Sequence, residues 1–406
     1  MVLDLNFLSH PDKTLEEHIC GVIEKSRKYS SLPIVEVASL FHDLGKINPN
    51  FQAKLKGDQV RGYSHHAYLS VLAFVYCFKA NQQGIMNSLQ AKNMEDCILK
   101  ILQIVTIVAY HHGDIPNLEK MLNMDEIESA ADFLNKNTLP FCDFLTKKLN
   151  RNFKPFSVDF DEREFRRVAK YNSIVHEKKW RNNALDNFLN TQFAFASLIQ
   201  ADKRDAGKNV YFETEEKIAH SILEIDCSLG RKFKTHESEA NPTKLNQLRT
   251  AIRIEATENI EKYLTQNKRI FTLTAPTGAG KTFTLLSLAR QIQKQKGNLG
   301  IIYTLPFLSI TEQVQNILKE DLNVDYLAIN SKTQNNNIEE AQKAYEFDPT
   351  NENLQRLIQL DFAEQTFDHP FIVTTFVQLF ETLVSNKNSV LLKLPNFSNR
   401  IFLIDE

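Results

Sequence analysis

Between residues 97 and 110 the chain reads CILKILQIVTIVAY, an apolar run broken mainly by Lys100 and Gln103. A stretch with almost no polar face predicts a helix buried in the middle of an all-α domain. Residues 34–42, 66–78 and 185–201 carry apolar positions at amphipathic helical spacing. Polar turn signals separate them: Lys56-Gly57-Asp58, and Gly113-Asp114-Ile115-Pro116. The rhythm changes after about residue 243. Strand-like runs over 269–275, 300–307, 371–376 and 400–406 alternate with helical ones, which is the pattern of βα units on a parallel sheet. The polar stretch 231–242, closed by Pro242, reads as a linker. The expected fold is therefore multidomain, with an all-α domain over 1–235 and an α/β lobe over 240–406.

Composition narrows this only in places. The net charge of -2 provides no global basic field, so any nucleic-acid contact has to come from local patches. The five cysteines are scattered without a C-x-x-C pair, which argues against a disulfide framework and a thiolate zinc site. The opening MVLDLNFLSHPDK lacks a basic start with a long apolar stretch, so no signal peptide is expected. The 97–110 run is too short to span a bilayer. A cytoplasmic protein with no membrane partner is the expectation.

Six of the eleven histidines fall between residues 18 and 112, in four places: His18, His42, His65-His66 and His111-His112. Asp43 follows His42 in FHDLGK, and Asp202 lies near the end of an apolar helical run. Mixed imidazole and carboxylate donors suit Mn²⁺, Fe²⁺, Co²⁺, Ni²⁺ or Mg²⁺. Ligands scattered along several helices suit a site in a bundle core. His111-His112 ends the most apolar helix, where polar groups need partners.

The order H…HD…H…HH…D around HDLGK resembles the HD phosphohydrolase superfamily. Within it, the chain is similar to the HD nuclease of the CRISPR-associated nuclease-helicases. That resemblance implies one metal on His18, His42, Asp43 and Asp202. It implies a second metal on His66, His111 and His112, bridged by Asp43. His66 is preferred over His65 because Ser70 then completes the family's H-x-x-x-S. Lys46 would lie near the scissile phosphate, so Asp43 and Lys46 are the catalytic candidates of this domain. Two ions about 3.5–4 Å apart can activate water and stabilise both oxygens of a displacement, so no protein nucleophile is required.

Residues 275–282, APTGAGKT, lie between a strand-like and a helical run, the context of a phosphate-binding loop. Thr277, Gly278, Ala279 and Gly280 would let the backbone approach phosphates, Lys281 would reach the β- and γ-phosphates, and Thr282 would hold Mg²⁺. LPFLSITEQ (305–313), VTTFVQLFETL (373–383) and LIDE (403–406) resemble superfamily 2 helicase motifs Ia, Ib and II. The resemblance implies a RecA-like lobe binding ATP with Mg²⁺, Asp405 in the Mg²⁺ shell, Glu406 polarising water, and Gln247 reading adenine. The chain stops inside motif II, so the expectation is a partial first lobe that is no working helicase by itself.

Residues 147–181 hold eleven Lys/Arg against five Asp/Glu with interleaved aromatics. That composition suits single-strand binding and equally a solvated helix face, so no binding residue is assigned there. The resulting expectation is a hydrolase that cuts single-stranded DNA within residues 1–235, recruited by an RNA-guided CRISPR surveillance complex. A nucleotide phosphohydrolase and a non-catalytic docking module are the alternatives.

Overall fold

The computed structural model describes residues 4–116, 123–157, 160–161, 183–208, 214–237, 243–329 and 336–405. They form two compact units. The first comprises 1–209 together with 385–395, and the second 210–384 together with 396–406.

The first unit begins with a short hairpin, β1 (Leu8–His10) and β2 (Lys13–Thr14), that leads directly into α1 (Leu15–Tyr29). Thr14 and Glu17 cap α1 reciprocally, satisfying two otherwise unpaired backbone donors. Then come α2 (Pro33–Phe41), with proline at its start, α3 (Pro49–Leu55), α4 (Ala67–Ala80), α5 (Gln82–Ser88) and α6 (Met94–Tyr110). After α7 (Met124–Lys136), the long α8 (Ala184–Ala206) returns across the bundle. The expected helices over 34–42, 66–78, 97–110 and 185–201 fall within α2, α4, α6 and α8, each with ends shifted by a few residues. α6 packs against α2, α4 and α8, and α1 packs against α2 and α8. Ile104, Ile107 and Val108 of α6 are fully buried, as are Phe195, Leu198 and Ile199 of α8.

The second unit has a four-stranded parallel sheet in the order β4-β5-β3-β6. Its strands are β3 (Gly300–Leu305), β4 (Leu327–Ile329), β5 (Phe371–Thr375) and β6 (Arg400–Ile404). Every residue of β3 and β5 is buried, as expected of parallel strands covered on both faces. Ile301, Tyr303, Leu305, Phe371 and Val373 join Leu286 and Ala289 of a flanking helix in one core.

Two expectations fail here. Residues 269–275 do not pair into the sheet, because Phe271 and Leu273 pack instead against the helical cluster of Ile260, Leu264 and Leu288. Residues 231–237 are not linker but the end of α9 (Glu215–Glu237); 238–242 lie outside the described residues. Of the basic stretch 147–181, only 147–157, 160 and 161 are described. Among the described residues, no helix is long and apolar enough to cross a membrane.

Candidate functional site

The turn after α2 carries the aspartate around which the histidines gather. His42 caps α2, Asp43 follows, and Leu44–Ile47 form one 3₁₀ turn. Ser70 of α4 accepts a hydrogen bond from the Gly45 N–H at 2.8 Å. A Cβ on residue 45 would lie 2.0 Å from the His66 carbonyl oxygen, so glycine permits this close approach. The contact brings Asp43 beside His66 at the start of α4.

Other histidines are aimed by the backbone. His42 Nδ1 lies 2.8 Å from the Ser39 carbonyl and His111 Nδ1 lies 2.7 Å from the Val108 carbonyl. Nδ1–H donation to those oxygens leaves each Nε2 lone pair facing Asp43.

The two oxygens of Asp43 face different sets of side chains. Oδ1 lies 3.1 Å from His66 Nε2 and 3.5 Å from His111 Nε2. Oδ2 lies 3.0 Å from His18 Nε2, 3.5 Å from His42 Nε2 and 2.6 Å from Lys46 Nζ. His112 Nε2 is 2.9 Å from His66 Nε2, and Asp202 Oδ1 is 3.2 Å from His18 Nε2. Two groups result, His18/His42/Asp43/Asp202 and Asp43/His66/His111/His112, with the donor atoms in each within 4.8 Å of one another. The structure thus brings together all seven metal candidates. His65 is exposed, its ring against Tyr63. Lys46 is buried, its ammonium between Asp43 and the Ser9 hydroxyl.

The donor set fits cations. Asp43 Oδ1 and His111 Nε2 are buried without a properly directed hydrogen bond, while Asp43 Oδ2 is paired with the Lys46 ammonium. Such orphaned polar atoms call for a partner. Burial works against the Asp43 carboxylate, but His42 and Lys46, with His111 and His18, hold it well below the usual range. Asp202 is likewise held low against burial, chiefly by His18 and then His42. Burial pushes His42 down to about 4 and lowers His66. Burial also disfavours a charged His18, yet Asp202, Asp205 and Asp43 around it carry it up to about 10.

Sequence reasoning missed two neighbours. Asp205 Oδ2 lies 2.6 Å from His18 Nδ1, on the far side of that ring from Asp43. Its spacing of three from Asp202, which puts both on one helix face, was the available signal. His10 stacks edge-on against His18 at 5.1 Å and has a buried Nε2 without a hydrogen-bond partner. Nothing in its spacing from the other histidines marked it.

In the second unit, residues 277–280 turn into α11 (Lys281–Lys296), preceded by α10 (Lys244–Thr265). Gly278 and Gly280 both have φ of +79°, in the left-handed region that favours glycine. Arg249 of α10 donates from Nε to the Gly278 carbonyl at 2.9 Å, so the start of that helix, including exposed Gln247, adjoins the loop. Asp405 follows β6, and its Oδ2 accepts a 2.6 Å hydrogen bond from the Tyr303 hydroxyl of β3. Thr282 also contacts that hydroxyl, so Thr282 and Asp405 converge on one point. The loop, Thr282 and Asp405 thus lie at the carboxyl edge of a parallel sheet, where ligands of α/β folds bind. Thr277 is exposed and Ala279 buried. Glu406 lies outside the described residues.

Comparison with known proteins bears on both halves. Residues 9–176 match the family model described as Cas3, HD domain, and residues 246–406 match that of the type III restriction enzyme res subunit. The chain is also similar to the CRISPR-associated nuclease/helicase Cas3 of Haloferax volcanii, 26% identical over 413 residues. Its two matched regions are thus similar to the HD and helicase parts of CRISPR-associated nuclease-helicases. The Haloferax match covers 91% of this chain and 41% of that relative. Two crystal structures of T. fusca Cas3, one with ADP, are similar at 15% identity and a TM-score of 0.41, covering 99% and 100% of this chain and 43% and 47% of theirs. The chain therefore spans less than half the length of these nuclease-helicases. The matched HD region contains six of the seven metal candidates, with Asp202 beyond its end.

Proposed function

We propose that the first unit is a two-metal nuclease that hydrolyses single-stranded DNA, and that the second is part of an ATP-binding motor acting with it in CRISPR interference. The observation that carries this reading is the Asp43 carboxylate, whose two oxygens face two separate donor sets. His18, His42, Asp43 and Asp202 would hold one divalent ion, and Asp43, His66, His111 and His112 the other. Ions so held would supply Lewis acidity for water activation and for the leaving oxygen. Neutral His42 and His66 with ionised Asp43 and Asp202 present the protonation states that ligation requires, whereas His18, held protonated by its three carboxylates, would have to release its Nε2 proton as the ion binds. Lys46 would add positive charge beside the scissile phosphate while orienting Asp43.

In the motor, residues 277–282 would cradle ATP phosphates, with Lys281 on the β- and γ-phosphates. Thr282 and Asp405 would share Mg²⁺, Glu406 would polarise water, and Gln247 would read adenine. An RNA-guided surveillance complex is the partner that the family implies. The domain limits proposed are 1–235 and 240–406, with residues 385–395 contributing to the nuclease unit.

The test is cleavage of circular single-stranded DNA, metal by metal, without ATP. Wild type should cut with at least one of Mn²⁺, Fe²⁺, Co²⁺, Ni²⁺ or Mg²⁺. Folded Asp43→Ala should lose cleavage by more than a hundredfold. Undiminished cutting by that variant would remove the two-metal reading. Rapid hydrolysis of free nucleotides with intact polymer would move the assignment to a nucleotide phosphohydrolase.

A further inference from the structure

The chain leaves the second unit after Val384 and rejoins it at Asn396, and the residues between them, 385–395, belong to the first unit. Leu391 and Leu392 are buried there at 0% and 2% exposure. Asn386 exchanges two hydrogen bonds with Ile115, its carbonyl accepting at 2.9 Å and its side-chain amide donating at 2.8 Å. The Gln192 and Gln200 amides of α8 donate to the Ser385 and Leu392 carbonyls at 2.7 and 2.8 Å.

Asn388 occupies the most telling position. Its side-chain amide donates to the His111 carbonyl at 2.9 Å, and its backbone N–H donates to Asp114 at 2.8 Å. Its side-chain oxygen accepts from Lys203 at 3.2 Å. Carbonyls at the end of α6 have no partner within the helix, and the segment fills that need at the residue that bears a metal candidate. Lys203 adjoins Asp202, so one asparagine links the backbone at His111 with the residue next to Asp202. Those two candidates belong to different donor sets.

We propose that Asn388, supplied by segment 385–395, is a positioning residue of the nuclease centre. The proposal rests on the two-metal reading above. The segment is held at both ends by the chain. Upstream, the segment continues the helix Phe376–Val384 that follows β5. Downstream, it leads through Leu394–Phe397 into β6, the strand that Asp405 follows. A tether needing only length would not use both ends of an amide. Here the donor faces a carbonyl and the acceptor faces an ammonium, so the side chain has one productive orientation.

The test uses the whole 406-residue chain and two readouts, Mn²⁺ affinity by titration calorimetry and the thermal midpoint of the metal-free protein. Asn388→Ala should weaken Mn²⁺ binding about tenfold, the lower end for residues behind metal ligands. Asn388→Asp keeps the Lys203 contact but turns a carboxylate oxygen toward the His111 carbonyl, and should lose as much. It also decides the matter should the alanine variant not fold. Gln192→Ala, which releases only the Ser385 end, should lower the midpoint and leave affinity unchanged. Wild-type affinity in both Asn388 variants would overturn the proposal. So would an affinity loss in Gln192→Ala as large as theirs, because general loosening would then explain everything. Equal Mn²⁺ uptake by wild type and Asp43→Ala would fell the metal reading itself and this proposal with it, a result distinct from affinity retained in the Asn388 variants alone.

Discussion

Asp205 shows how much of this centre is set by side chains that would never touch a metal. It receives His18 Nδ1 at 2.6 Å while Lys13 and Lys25 approach its two oxygens at 2.6 and 2.8 Å. Burial opposes its charge, but His18 and the two lysines hold it well below the ordinary carboxylate range. A carboxylate behind an imidazole fixes the tautomer and the ring angle, here with Nε2 toward Asp43 and Asp202. Asp205→Ala should therefore lower Mn²⁺ affinity by about 10–100-fold, the range for such outer partners. Calorimetric titration checks it, and an unchanged affinity would assign Asp205 to anchoring the two lysines only. The metal candidates were legible because imidazoles next to aspartate or to one another stand out against an apolar helical background. The role of Asp205 was not. Its spacing from Asp202 puts it on the same helix face, but the contact with His18 that gives it a role spans 187 positions and is not encoded locally.

At the scale of elements, apolar density decided what could be read. α6 presents apolar side chains almost all round, and the bundle closes on it from α2, α4 and α8. Truncating fully buried Ile107 to alanine should cost about 2–5 kcal/mol, through lost transfer energy and the cavity left behind. Urea unfolding of the metal-free protein measures this, and a loss below 1 kcal/mol would mean that the helices around α6 collapse into the space. Residues 269–275 mark the opposite case. Alternation and aromatic content suggest a strand, but a strand exists only with a ladder partner, and Phe271 and Leu273 find their burial against helices. β4 escaped notice because three residues cannot display a period. α10 was equally hidden. Leu245, Leu248 and Ile254 are exposed, and only Ile260 and Leu264 are buried hydrophobics of that helix.

For the molecule as a whole, domain limits drawn along the sequence and units drawn in space part company at residues 210–235, which belong to the second unit, and at residues 385–395, which belong to the first. Every metal candidate lies before residue 209, so a fragment of residues 1–235 retains the complete donor set. It nevertheless lacks the segment that covers Gln200, holds the His111 carbonyl and buries Leu391 and Leu392. Burying those two leucines is worth about 1.5–3 kcal/mol each. Domain stabilities are only about 5–15 kcal/mol, so the loss is a large fraction of the whole. Fragment 1–235 should therefore unfold at a lower temperature than the nuclease unit does within the complete chain, and should bind Mn²⁺ more weakly. A synthetic peptide of residues 383–397, added in excess, should raise the fragment's midpoint, since a ligand of the folded state alone stabilises it in proportion to the logarithm of its concentration. The same peptide with Asn388→Ala should stabilise less, because it loses the bonds to His111 and Lys203 while keeping both leucines. Scanning calorimetry of fragment, fragment with each peptide, and complete chain separates the outcomes. A fragment as stable and as metal-avid as the complete chain would show that residues 385–395 rest on the nuclease unit without completing it.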